Sequence, residues 1–442
     1  MMRRILCALG LLPLLLTARA AWAGETGYDS PRLAELSRQL ESGRAQAMEE
    51  FLASVRGNGP LVEPYAGEPH VRWVTFLWHA DASTERVTMI GGPTTSEWQC
   101  PLARLRGTAL WYRTVRIPSD ARCVYWFQLD WPTQYARDYP KHVELMKQHP
   151  LRTDPLNPRH VDDGSLLELP DAPPEPWMTR HPDVARGEVK IHSLKSKHLN
   201  DSRYWPIPVP QPRVFDVYTP PGFDRAAAAT KPYPLLILFD GNAFKDDSSM
   251  PLAIILDNLI AEKKIPPVVA AFVYQTPMRD KELTCSPAFC EFVAAELVPW
   301  MRQNYPVTKD PAGTILGGLS YGGLMSTYCA HRHPELFGNV LSMSGAYAWF
   351  PAIEQPGYRD PSAEGWLPGE FVKAPRQEIR FYLAAGRFEN LNPYSLLEAN
   401  RRFRDILLCK GYEVHYREFT GGHDPTGFRG AFVEGIIALT QR

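Results

Sequence analysis

Ser320 lies in Gly317-Gly318-Leu319-Ser320-Tyr321-Gly322-Gly323-Leu324, a serine held between glycines at the spacing G-x-S-x-G. It follows the apolar run Thr314–Leu316 and precedes a helical stretch, Leu324–His331, so the motif falls at a predicted strand-turn-helix junction. Small neighbours allow a tight turn there that projects the Ser320 hydroxyl above the sheet edge, and the Tyr321 amide at the helix start is placed to hold an oxyanion. A plain glycine-rich turn carries the same letters; the strand before it and the helix after it make Ser320 a candidate nucleophile.

A serine hydroxyl is a weak nucleophile until a base takes its proton. His423, in "FTGGHDPTGF", follows the last predicted strand about 100 residues beyond the serine. That is the chain order of an α/β-hydrolase, in which the histidine comes last; His331 and His333 read as core or surface residues. The third member is expected after the penultimate strand, where "FYLAAGRFENLNP" offers Glu389. Such a carboxylate fixes the imidazole tautomer and stabilises the imidazolium. The competing readings are a surface or salt-bridged Glu389 beside a Ser-His dyad, and Asp424, whose place next to His423 suits it better to fixing the loop. A second oxyanion donor is expected from "DGNAF", where Gly241 and Asn242 bring backbone amides to the end of a strand, the alternative being an ordinary turn. Arg279 and Glu282 are expected to form an ion pair that shapes the pocket. Arg279 and Arg387 are the candidate substrate-binding contacts for an anionic ligand.

The elements that must position these residues alternate. From residue 213 onward the order is strand "RVFDVYTP", strand "PLLILFDG", helix about Pro251–Glu262, strand "VVAAFVY", helix about Phe289–Tyr305, then the strand and helix flanking Ser320. Strands "NVLSMSG" and "IRFYLAAG", a helix about Tyr394–Lys410 and strand "EVHYREF" complete it. Apolar strands alternating with helices predict a mainly parallel sheet covered on both faces. Ahead of it, "VRWVTFLWHA", "RVTMIGG", "ALWYRTVRI" and "CVYWFQLD" are short, aromatic and β-branched, and predict a β-sandwich. Ser30 before Pro31 starts an amphipathic helix running to Val55. The expected division is residues 1–23 a signal peptide, 24–170 helix and immunoglobulin-like β-sandwich, 171–212 a proline-rich linker, and 213–442 an α/β-hydrolase domain.

Arg3-Arg4, the apolar run Ile5–Leu16 and Ala21-Trp22-Ala23 follow the three-part pattern of a secretory signal, with cleavage after Ala23. The run is short for a membrane span, so the expectation is an exported protein, periplasmic in a Gram-negative cell, and not an integral membrane protein. Losing residues 1–23 removes three arginines and no acid, leaving 45 bases against 49 acids, or −4, which is no nucleic-acid footprint. Six cysteines then remain. Cys100 with Cys123 and Cys285 with Cys290 are near enough to pair in an oxidising compartment, free buried thiols being the equal alternative, and no spacing suggests a zinc site.

The segments "RDKELTCSPAFCEFVAAELVPW", "GGLSYGGLMS", "HPELFGNVLSMSGAYAWF", "AAGRFE" and "GGHDPTGFRGAFVEGI" resemble the catalytic domain of enterochelin (enterobactin) esterases, within the esterase D-like α/β-hydrolases. "VTFLWHA", "PLARLRGTALWYRTVRIP" and "DPLNP" are similar to the sandwich that precedes it in full-length members, so the resemblance runs from about Val71 to the end. It implies hydrolysis of the trilactone esters of a ferric tricatecholate siderophore, with Ser320 as nucleophile, His423 as base and Glu389 as acid. No cofactor is implied, because the iron arrives chelated by the substrate. In place of the family's frequent Trp-Trp and Trp-Arg, "SGAYAWF" and "GGHDPTGFR" stand here. Two other readings stay open: an exported feruloyl- or acetyl-type carbohydrate esterase, and a siderophore- or glycan-binding protein without turnover.

Overall fold

Ser30 accepts a hydrogen bond from Leu33 N at 3.2 Å and Pro31 occupies the first helical turn, so the first helix begins at the expected residue. The computed structural model describes residues 28–93, 100–132, 139–200, 211–226, 231–244, 249–351, 365–390 and 395–441. The expected signal peptide lies outside them. The helix expected to run from Ser30 to Val55 is two, α1 (Pro31–Glu41) and α2 (Ala47–Val55), parted at the Ser42 cap.

The sandwich strands are β1 (Leu61–Pro64), β2 (Val71–His79), β3 (Val87–Gly91), β4 (Cys100–Pro101), β5 (Ala103–Arg104), β6 (Leu110–Pro118), β7 (Arg122–Leu129), β8 (His160–Val161) and β9 (Gly164–Glu168). They form two sheets, in the orders β1-β2-β6-β5 and β4-β3-β7-β9-β8. Helix α3 (Tyr139–Gln148) lies between β7 and β8 in the chain. Alternation along β7 sends Cys123, Tyr125 and Phe127 into the core, where they meet Val74 and Phe76 of β2. Each such apolar side chain removed from water contributes about 2 kcal/mol.

The third sheet has eight strands: β10 (Glu188–Leu194), β11 (Arg213–Thr219), β12 (Leu235–Phe239), β13 (Val269–Val273), β14 (Thr314–Leu319), β15 (Asn339–Met343), β16 (Arg380–Gly386) and β17 (Glu413–Phe419). Their order is β10-β11-β13-β12-β14-β15-β16-β17; β10 and β11 are antiparallel to their neighbours and the other pairs are parallel. Among the described residues, eight α-helices and one short π-helical stretch are interleaved with these strands: α4 (Leu252–Ala261), α5 (Arg279–Leu283), α6 (Pro287–Glu291), the π-helical Phe292–Leu297, α7 (Val298–Asn304), α8 (Tyr321–Arg332), α9 (Trp366–Lys373), α10 (Leu396–Cys409) and α11 (Pro425–Thr440). In β12, Leu235, Ile237 and Phe239 face the core under α6 to α10, whereas Leu236 and Leu238 face the core under α4 and α11. Burial on both faces is why the central strands read as unbroken apolar runs.

Two expected boundaries change. The stretch 171–212 is no free linker where it is described: β10 is the sheet's edge strand, and Asn258 of α4 donates to the carbonyls of Trp177 and Thr179 at 2.8 and 2.9 Å. The polar and charged residues that alternate along β10 hide an edge strand from a hydropathy reading, and Ile191 is in fact 66% exposed. Among the described residues, those up to Ser54 form one compact unit and those from Val55 onward the other, so the sandwich groups with the hydrolase and not with the helix before it. Glu175 is one reason: it pairs with Arg122 of β7 at 3.2 Å and with Arg429 of α11 at 2.5 Å, all three side chains being largely buried. Of the two readings of the six cysteines, the structure shows free thiols, five of them buried, and neither Cys100–Cys123 nor Cys285–Cys290 is bonded. Among the described residues no helix is long and apolar enough to cross a membrane.

Candidate active site

Ser320 sits between β14 and α8 with φ 57° and ψ −121°, a conformation that a residue with a side chain enters only at a cost of order 1–3 kcal/mol. Its amide donates to Met343 O at 2.9 Å and its carbonyl accepts from Ala346 N at 3.1 Å, so the neighbouring strand end holds the turn from both sides. The glycine at 318 is a packing requirement, since a Cβ there would lie 2.7 Å from the Gly322 carbonyl carbon. The side chain therefore stands at the carboxyl edge of the sheet, on the first residue before a twelve-residue helix whose opening amide is that of Tyr321.

Glu389 follows β16 and its side chain is fully buried. One carboxylate oxygen accepts from His423 Nδ1 at 3.0 Å and the other from Gly386 N at 3.2 Å. An ionised carboxylate only accepts, so this pairing puts the imidazole proton on Nδ1 and leaves Nε2 with the lone pair a base needs. His423, about one-third exposed, follows β17 and meets the edge of Phe428 of α11 at 5.1 Å between ring centroids. Asp424 does not compete for the imidazole. Its Oδ1 accepts from Thr426 N at 2.9 Å as the cap of α11, and its Oδ2 accepts from Val124 N of the sandwich at 3.2 Å. Burial raises the Asp424 pKa, against which the bonds from Thr426 and Val124 act.

Gly241 and Asn242 open a short 3₁₀ turn directly after β12, as the sequence places them, and the Asn242 side-chain oxygen accepts from Gln275 N at 3.0 Å. The expected pair of Arg279 with Glu282 is not formed. Arg279 instead grips Asp240 with two bonds of 2.6 and 2.7 Å, and Glu282 pairs with Arg213 of β11 at 2.6 and 3.0 Å in the fully buried core. On the five-residue α5 the two side chains leave in different directions, one to the strand end and one under the sheet. Asp240, with φ 65°, is the residue missed in sequence; its signal is an aspartate between a buried strand and the glycine that opens the 3₁₀ turn. Through it Arg279 braces that turn. Arg387 is exposed beside the Glu389 loop, with its guanidinium 3.5 Å from Thr420 Oγ1.

The strands β14, β16 and β17 thus deliver an elbow serine and a partly exposed histidine backed by a buried glutamate to one edge of one sheet, an arrangement suited to acyl transfer through a covalent intermediate. Among the described residues no group of three or more His, Cys, Asp or Glu is arranged to hold a metal ion.

Known proteins bear on this geometry in both halves. Residues 209–439 match the "Putative esterase" family and residues 73–178 match the family described as enterochelin esterase, N-terminal. The iron(III) enterobactin esterase of Escherichia coli O6:H1 strain CFT073 is 30% identical over 359 residues, covering 77% of this chain and 82% of that one. The iron(III) salmochelin esterase of the same strain is 27% identical over 425 residues, covering 92% and 97%. The crystal structure of ferric enterobactin esterase from Salmonella typhimurium superposes with a TM-score of 0.68 at 25% identity, covering 86% of this chain and 97% of that one. With the esterase family matched over half the chain and a 30% identical relative spanned across most of its length, the chain belongs to the enterobactin esterase family and is a carboxylic ester hydrolase.

Proposed function

We propose that the chain is a serine esterase that opens the trilactone of a ferric tricatecholate siderophore such as enterobactin, so that the chelate weakens and iron is released. Ser320 Oγ attacks an ester carbonyl while His423 Nε2 takes its proton, and Glu389 stabilises the imidazolium from Nδ1. The amides of Tyr321 and of Gly241 or Asn242 receive the oxyanion. His423 then protonates the departing seryl alkoxide, and water, activated by the same imidazole, releases the acid from Ser320. Arg387, exposed at the rim, offers a cation to the anionic chelate, whereas Arg279 is engaged by Asp240 and serves the oxyanion turn. The iron is cargo of the substrate.

The observation that carries the substrate is the match of residues 73–178 to the N-terminal domain of enterochelin esterases. The hydrolase half alone would suit a feruloyl or acetyl esterase equally well. Ferric enterobactin and methyl ferulate assayed side by side decide it: the expected kcat/KM favours the siderophore by at least about 100-fold, a difference of roughly 2.7 kcal/mol in transition-state binding. A preference for methyl ferulate sinks the siderophore reading and keeps the esterase.

Export is proposed on Arg3-Arg4, the apolar run and Ala21-Trp22-Ala23. In a Gram-negative host the full chain is expected in the periplasm with Gly24 as its first residue, and a chain lacking residues 1–23 is expected in the cytoplasm. Mass spectrometry of the N-terminus reads this directly, and an exported protein that keeps Met1 contradicts it.

A further inference from the structure

The loop that carries His423 is hydrogen-bonded on both sides, to the Glu389 loop on one and to strand β7 of the sandwich on the other. On the hydrolase side, Arg387 N donates to Phe419 O at 2.9 Å and Phe388 N to Gly421 O at 3.0 Å, which ties the histidine loop to the Glu389 loop. On the other side lies β7. Its partner β3 pairs as far as Gly91 opposite Tyr125, and the last bond between the strands runs from Gly92 N to Val124 O at 2.8 Å. Beyond that point β3 has turned away, and the histidine loop takes its place along β7.

Arg122 N donates to Thr420 O at 3.0 Å, Val124 N donates to Asp424 Oδ2 at 3.2 Å, and Thr426 Oγ1 donates to Arg122 O at 3.4 Å. Thr420 Oγ1 donates to Asp120 Oδ2 at 3.0 Å, just before β7 begins. The approach is close enough to forbid a side chain at Gly421, whose Cβ would lie 2.7 Å from Arg122 O. Asp424, 5% exposed, thereby serves two elements with one carboxylate, capping α11 with Oδ1 and reaching the sandwich with Oδ2.

Resting on the reading of Ser320 and His423 as nucleophile and base, we propose that Asp424 is a positioning residue and that strand β7 of the sandwich sets the catalytic histidine through it. The sandwich then contributes to turnover by fixing the imidazole, for any ester that reaches Ser320, and not only by meeting a large substrate.

Asp424→Ser separates the two jobs of this carboxylate, because serine caps a helix well but is too short to reach Val124. The variant is assayed on p-nitrophenyl butyrate and on ferric enterobactin, with the rate of Ser320 labelling by a fluorophosphonate as a readout independent of either substrate. The expected result is a kcat lower by about tenfold on both esters, KM within about twofold, labelling slowed in step, and partial recovery in Asp424→Asn, which keeps an acceptor of the right length. Wild-type rates on both esters overturn the proposal. So does a loss confined to ferric enterobactin, which would make β7 a substrate contact. Should Asp424→Ser fail to fold, Asp120→Ala removes the link to Thr420 while leaving Arg387 its contact with Thr420, and is expected to lower both rates about threefold; unchanged rates there overturn the proposal equally. Since p-nitrophenyl butyrate and the fluorophosphonate report the machinery itself, a wild-type chain that cleaves the small ester and spares ferric enterobactin refutes the siderophore substrate and leaves this test standing.

Discussion

Ser320→Ala is expected to lower ester turnover by about 10⁶, the loss seen when a triad nucleophile is removed from a serine protease. The fold should survive it. The side chain is small, it is only partly buried, and the bonds that hold the elbow come from the backbone of residue 320, which donates to Met343 and accepts from Ala346. Alanine keeps both bonds while removing the one atom proposed to form a covalent bond with the substrate. The circular dichroism spectrum and the affinity for the unreacted siderophore should therefore match the wild type, with product formation lost. Near wild-type turnover in the purified variant would show that the acyl group is transferred elsewhere.

Glu389→Gln is expected to lower kcat by about 10² to 10⁴ with KM little changed, the upper value being what the corresponding acid contributes in a protease. The carboxylate accepts from His423 Nδ1 with one oxygen and from Gly386 N with the other. Glutamine has one acceptor oxygen and one amide nitrogen. If the oxygen stays on Gly386, the NH₂ group faces Nδ1 and favours the tautomer with its proton on Nε2, which cannot act as base; if it turns, the NH₂ group meets the Gly386 amide. Either way the charge that stabilises the imidazolium is gone. Asp424→Asn, measured alongside, is expected to lose only a few-fold, because Asp424 touches the imidazole's loop and not the imidazole. A loss below about threefold for Glu389→Gln beside a large one for Asp424→Asn would move the acid's role to Asp424, and small losses in both would leave a Ser320–His423 dyad.

The catalytic half was largely legible because its physics is local. Strands buried on both faces, such as Leu235–Phe239 and Val269–Val273, must be apolar throughout, and Ser320 had to follow one and precede a helix for its motif to mean anything. Chain order then pointed to His423 and Glu389, which the structure brings to 3.0 Å. What stayed hidden depends on pairing between distant segments. Nothing in the residues around Arg279 says that its guanidinium will choose Asp240, 39 positions away, over the nearby Glu282, because that choice follows from where the short helix α5 sits against the strand end. The contact of Asp424 with Val124 spans 300 positions and uses a backbone amide, which has no sequence signature at all. The same blindness separated the sandwich from the hydrolase at a supposed linker, where β10 lacks the apolar run of a central strand and buries neither of its alternating faces.

The central claim, that Ser320 hydrolyses the esters of a ferric tricatecholate, is tested most directly by mass spectrometry of ferric enterobactin incubated with the enzyme in ¹⁸O-labelled water. The account predicts linear and then shorter dihydroxybenzoylserine products, each new carboxyl carrying one labelled oxygen from the water that releases the acyl group, and none of them with Ser320→Ala. Siderophore recovered intact from its complex with the wild-type chain would contradict it, as would labelled product formed equally well without the Ser320 hydroxyl.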